Sequence, residues 1–181
     1  ALTKPKALKN LLSGGWLGHQ LHPMLTDLPI GAWGAATFLD LTAGEKGAAA
    51  AQRLVGAGLL ATVPTAMSGA NDYADTYGAE QRIGFVHGMT NVMGAGFQAA
   101  SWLARRRGNR ALGIVLSGVG FGITSGAAYL GGHLTLVRGI GVNHTAYHDN
   151  VGDWTDVAAL DDLTDGTPHK VTAGDVAVVL V

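Results

Sequence analysis

Three stretches of this chain run long without a formal charge: Leu54 to Asn71 (18 residues), Ile83 to Ala104 (22) and Ala111 to Val137 (27), each bounded by arginine or aspartate. Crossing the hydrocarbon core of a bilayer takes about 20 consecutive residues in a helix, the form that satisfies every backbone donor and acceptor internally. The three stretches therefore read as membrane spans. A fourth, His22 to Gly44, has the length but is interrupted by Asp27 and Asp40. It is read as a span too, because Trp33, Phe38 and the leucines around them otherwise lack a surface to pack on. The connections, Glu45 to Ala51, Asp72 to Gln81 and Arg105 to Arg110, are short, which makes successive helices antiparallel neighbours. The expectation is an all-α membrane protein. Its spans, about 22–44, 54–71, 83–104 and 111–137, would form an up-down-up-down four-helix transmembrane bundle. A soluble helical bundle is the alternative, weakened by the missing polar face on the last two segments.

Composition narrows the function classes. Charged residues make up 14% of the chain, against roughly 25% in soluble domains. The formal charge of −1 leaves no clustered cationic surplus for a phosphate backbone, so no nucleic-acid partner is expected. The absence of cysteine excludes disulfides, thiolate zinc sites and any iron–sulfur cluster held by this chain alone. Residues 1–17, with Lys4, Lys6 and Lys9, read as a basic interfacial arm rather than a signal peptide, since no long apolar run follows the lysines before Gly14. The four-helix domain is assigned to residues 18–142. Residues 143–181 turn polar and acidic, then alternate. Thr164-Asp165-Gly166 signals a turn, and Val171 and Val176 to Val181 read as strands of an extramembrane tail.

The alternating topology gives the histidines a common level. His22 opens the first span, His87 lies five residues after Arg82, and His133 five residues before Arg138. At about 1.5 Å of rise per residue, His87 and His133 are each roughly 7 Å inside their flanking arginines. His87, Asn91, Gly94 and Gln98 form one helical stripe, polar and small, that belongs in a protein interior. Gly118, Gly122, Gly126 and His133 form another, read as a groove of close approach. Asp27 lies about 140° round the helix from His22 and points elsewhere.

Two neutral imidazoles facing one another across a slot suit the axial positions of a b-type haem, with Arg82 and Arg138 near its propionates. His22 and His87 are the favoured pair and His133 the alternate ligand. The same three histidines could instead hold a metal ion, or hydrogen-bond backbone carbonyls across helices. His19 reads as a solvated interface residue. His144 and His148 have i, i+4 spacing but sit in a glycine-flanked loop, and Asp40 is expected to reach toward Arg53 or Lys46.

HPMLTDLPIG, HGMTN and GGHLTLVRGIGV, in that order, resemble the DUF2231 family of bacterial four-helix membrane proteins, over roughly Gly18 to Val142. Asp27, where the family often has a second histidine, and His133, where it often has an acidic residue, resemble the branch that precedes a Rieske-type domain. WTDVAALDDLTDGTPHKVTAGDVAVVLV resembles the opening strands of such a domain, whose cluster ligands would lie outside this sequence. The resemblance implies a bacterial inner (cytoplasmic) membrane location. It also implies a membrane electron-transfer module relaying electrons between a quinone or redox partner subunit and an iron–sulfur domain, in an oligomer. The rival expectations are a cofactor-free anchor or oligomerisation platform, and an ion or proton conduit using Asp27 and the histidines.

Overall fold

The computed structural model describes residues 6–148 and 151–180. Lys4 of the basic arm and Val181 of the last expected strand lie outside them. The chain divides into two compact units, one running to Gly141 and the other from Val142.

Among its described residues the first unit holds five α-helices: α1 (Lys6–Ser13), α2 (Leu21–Thr42), α3 (Gly44–Tyr73), α4 (Gly78–Arg106) and α5 (Arg110–Leu136), with a 3-10 turn at Gly15–Leu17 between the first two. A single residue, Ala43, separates α2 from α3. The chain reverses there at Gly44, whose φ of +54° is a backbone state that glycine adopts without a Cβ clash. The expected link Glu45 to Ala51 is therefore the first part of α3. Between α4 and α5 the reversal falls at Gly108, and the Asn109 side chain accepts a hydrogen bond from the Leu112 amide at 3.1 Å, capping the new helix. Consecutive helices pack together, α2 with α3 and α4 with α5 most extensively; α3 also meets α4, and α2 meets α5.

The four-helix transmembrane bundle expected from the sequence is overturned. Among the described residues only α5 is both long and apolar enough to cross a membrane, and the chain also carries a small two-stranded sheet. Lack of charge is not the same as apolarity. α4 spends its charge-free length on His87, Asn91, Gln98, Ser101 and glycines, and α2 carries Asp27 and Asp40. Residues of this kind make a segment's transfer into lipid less favourable without adding a formal charge.

The interior is small-residue packing at one end and polar in its middle and at the other. Ala36, Ala51 and Val55 are fully buried, with Leu39, Leu54, Leu59 and Trp102 against them. The Trp33 indole donates to the Val55 carbonyl at 3.3 Å and lies over Gly58, where any Cβ would collide with it. α4 crosses α5 at Gly94 and Gly120, where an added Cβ on Gly120 would stand 3.0 Å from the Gly94 carbonyl oxygen. Below that crossing Gln98 donates to the Ser117 carbonyl (3.1 Å) and accepts from the Ser117 hydroxyl (2.9 Å).

Asp40 does not reach Arg53 or Lys46. It forms a bidentate ion pair with Arg105, at 3.0 and 2.5 Å, with both side chains only 2% exposed. The glycines expected to line a groove divide by face. Gly118, Gly122 and Gly126 lie on the exposed face of α5, with nothing within 4 Å of an added Cβ, while Gly113, Ser117, Gly120, Thr124 and Ala127 are the buried ones.

The second unit contains a 3-10 turn at Leu160–Asp162 and an antiparallel hairpin of β1 (His169–Ala173) and β2 (Val176–Leu180). His169 faces Leu180 and Ala173 faces Val176 across a two-residue turn with Gly174 at its first central position, the residue such hairpins favour there. The His148 imidazole meets the Asp175 carboxylate at 3.0 Å, holding that carboxyl below the usual range.

Candidate functional site

His22 stands in the first turn of α2, and His87 stands on the buried stripe of α4. Their rings face one another with centroids 6.4 Å apart and planes at 90°. Each ring also reaches sideways to the backbone of a neighbouring helix. His22 Nδ1 lies 3.0 Å from the Thr65 carbonyl of α3, and His87 Nδ1 lies 2.8 Å from the Ala127 carbonyl of α5. A carbonyl oxygen can only accept, so in both residues the proton sits on Nδ1 and Nε2 carries the lone pair, which in His87 has Asn91 Nδ2 3.3 Å away. The pair ties four helices together.

Two glycines make room for the rings. A Cβ at Gly69 of α3 would stand 2.6 Å from His22 Cε1, and one at Gly131 of α5 would stand 3.0 Å from His87 Cε1. Nothing in either glycine's own sequence neighbourhood marks it. The signal is the register between helices, which is set only on packing.

The surroundings are polar for an interior. The Ser68 hydroxyl donates to the Thr65 carbonyl at 2.9 Å and lies 3.3 Å from His22 Nδ1. Asn91, one turn along from His87, donates from Nδ2 to the His87 carbonyl at 3.0 Å, with Nδ2 also 3.3 Å from His87 Nε2. Thr65, Ser68 and Asn71 continue the buried stripe of α3 to its end. Burial pushes the His22 pKa down, the bond to Thr65 opposes this, and the facing His87 adds to the lowering. The ring is thereby held neutral, the form that can ligate. Next to the buried Asn71, Asp72 has its carboxyl pushed up to about 6, chiefly by burial, with Asn71 pulling it down and Asp75 raising it further.

The other expected members do not join. His133 is half-buried, and among the described residues no three His, Cys, Asp or Glu side chains gather to hold a metal ion. The structure thus brings together His22 and His87, with Asn91 beside them, and leaves His133 apart. Arg138 is engaged with Glu80 at 3.4 Å, and Arg82 is exposed. Asp27 is exposed on the outer face of α2, away from the histidines. His19 is exposed, with Nδ1 2.9 Å from the Gln20 carbonyl.

Residues 18–144 match the family DUF2231, described as a predicted membrane protein. No curated protein and no solved structure matches the chain.

Proposed function

The chain belongs to the DUF2231 family of predicted membrane proteins, and on that footing we propose that it is a membrane electron-transfer protein in which His22 and His87 hold a b-type haem. The observation that carries the reading is the 6.4 Å separation of the two rings. The two imidazoles would hold the iron between them.

The chain's own residues supply orientation and basicity. The Nδ1–H bonds to Thr65 and Ala127 fix each ring and enrich its Nε2, as carbonyl partners do for ligating histidines generally. Asn91 Nδ2 would have to withdraw from His87 Nε2, and its second acceptor, the His87 carbonyl, is already in place. The haem would supply a one-electron couple. The exposed glycines of α5 play no part in seating it.

The tail hairpin and its resemblance to the opening strands of a Rieske-type domain support a finer reading. The chain then belongs to the branch that precedes such a domain, in a bacterial inner membrane, and exchanges electrons with it, a quinone or a partner subunit. The rival reading is a colourless anchor or oligomerisation platform in which the histidines only tie helices. It is favoured by the Asn91 contact at His87 Nε2, since that nitrogen is then already satisfied. Haem content separates the two. Pyridine-haemochrome analysis of the purified protein is expected to give one b-type haem per chain, as isolated or after addition of haemin. A protein that stays colourless after haemin addition overturns the proposal.

A further inference from the structure

We infer that α1 and Trp16 form a membrane-surface anchor that lies in the headgroup boundary of a bilayer, where α5 leaves it. α1 has no buried residue. At 100° per residue, Lys6, Lys9, Asn10 and Ser13 occupy one face and Ala7, Leu8, Leu11 and Leu12 the other. The side that carries Lys9, Leu12 and Ser13 meets the protein: Lys9 Nζ binds the Asp75 carboxylate at 2.7 Å, and Leu12 and Ser13 are half-buried. Leu8 and Leu11 are left 38% and 55% exposed. Trp16 extends the same apolar surface. It is exposed, and its indole N–H, donating to the Leu11 carbonyl at 3.2 Å, fixes the ring against the end of α1.

The place of this surface in the fold identifies the occupant. α5, the candidate span, ends at Leu136, itself exposed, and the chain then turns to Gly141. Gly141 is pressed against the Gln20 side chain, so closely that a Cβ there would overlap it. Gln20 follows Trp16 by four residues and precedes α2. α1 and Trp16 thus sit beside the exit of the candidate span, at the level where the hydrocarbon gives way to headgroups.

The charges at that level fit the same surface. Lys6 on α1 and Arg82 in the second turn of α4 are exposed, and each is available to an anionic headgroup. Indole and leucine on one side with lysine on the other is the composition of an interfacial helix. The inference holds whether or not the histidines carry haem.

The absence of cysteine makes the test direct. Full-length protein carrying Leu11→Cys or Asn10→Cys is labelled with a nitroxide and reconstituted in vesicles of phosphatidylcholine and phosphatidylglycerol. Accessibility to oxygen, which concentrates in lipid, is then compared with accessibility to a water-soluble nickel chelate. The expected oxygen-to-nickel ratio is several-fold higher at position 11 than at position 10. Equal ratios at the two positions overturn the inference. So does a position-11 label shielded from both reagents and spin-coupled to a second copy, which would make the surface a protein interface. Should labelling disturb α1, the emission difference between the unlabelled protein and Trp16→Phe gives a second readout. Acyl chains brominated near the headgroup are expected to quench that difference, and no quenching contradicts the anchor.

Discussion

Replacing Asp40 by alanine is expected to be among the most damaging single changes available in this chain. Asp40 and Arg105 come from α2 and α4, elements far apart in sequence, and both side chains are 2% exposed. The guanidinium gives both Nη atoms to the carboxylate, and its Nε donates to Ser101 Oγ at 3.2 Å. Gly113 admits the arginine stem, since a Cβ there would stand 2.5 Å from Arg105 Cγ. Asp40→Ala leaves the stem and Nε in place and strands two Nη groups away from water. Stranding one partner of a buried pair costs about 3–5 kcal/mol, a fall in midpoint of roughly 10 °C for a chain of this size. Arg110, 3.7 Å from Asp40 and 25% exposed, can turn to solvent and adds little to the loss. The assay is thermal unfolding in detergent followed by circular dichroism, with Asp75→Ala as the control. Asp75 pairs with Lys9 where both are about half exposed, and such surface pairs contribute about 0–1 kcal/mol. A midpoint for Asp40→Ala within two degrees of the Asp75→Ala protein would refute the reasoning. A double replacement, Asp40→Leu with Arg105→Met, is expected to recover most of the loss, because replacing the whole pair leaves no orphaned charge.

Three further outcomes follow from the packing. Gly69→Ala places a methyl group 2.6 Å from His22 Cε1 and should displace the ring from Thr65, which a lost low-field Nδ1 proton resonance would report; an unchanged resonance counts against the contact. Gly58→Ala collides with the Trp33 indole and should cost about 1–3 kcal/mol, whereas Gly122→Ala meets nothing and should stabilise α5 by up to about 1 kcal/mol; equal midpoints for the two would contradict the assigned faces. Burial pushes the folded Asp72 carboxyl up from its ordinary 3.8 to about 6, so the folded state binds the extra proton between those values. The contribution of Asp72 to stability should be greatest below pH 4, fall as pH rises toward 6 and then level off, and Asp72→Asn should remove that component of the slope in an unfolding series across this range.

The positions of α3, α4 and α5 were legible because a charge-free run fills most of each helix, and the stripe of His87, Asn91, Gly94 and Gln98 faces inward as its spacing indicates. His22 and His87 could be brought to one level by topology alone. Membrane crossing was not legible from the same runs, since absence of charge says nothing about the asparagines, glutamines, serines and glycines within them. The face of Gly118, Gly122 and Gly126 was misjudged for a related reason. α5 carries small residues on two sides, and spacing alone does not say which side meets α4. Arg105 sat unnoticed in the basic run ARRRGNR, because its burial depends on Asp40 and Gly113, 65 residues before it and 8 after. Gly69 and Gly131 acquire meaning only once the imidazoles that rest on them are in place.

The central claim is that His22 and His87 act together as axial ligands, and a reduced-minus-oxidised absorption spectrum of the purified protein tests it most directly. A sharp low-spin b-type α-band is expected that disappears in both His22→Ala and His87→Ala and persists in His133→Ala. A haem spectrum unchanged in His87→Ala, or no haem band in the unaltered protein supplied with haemin, would contradict it.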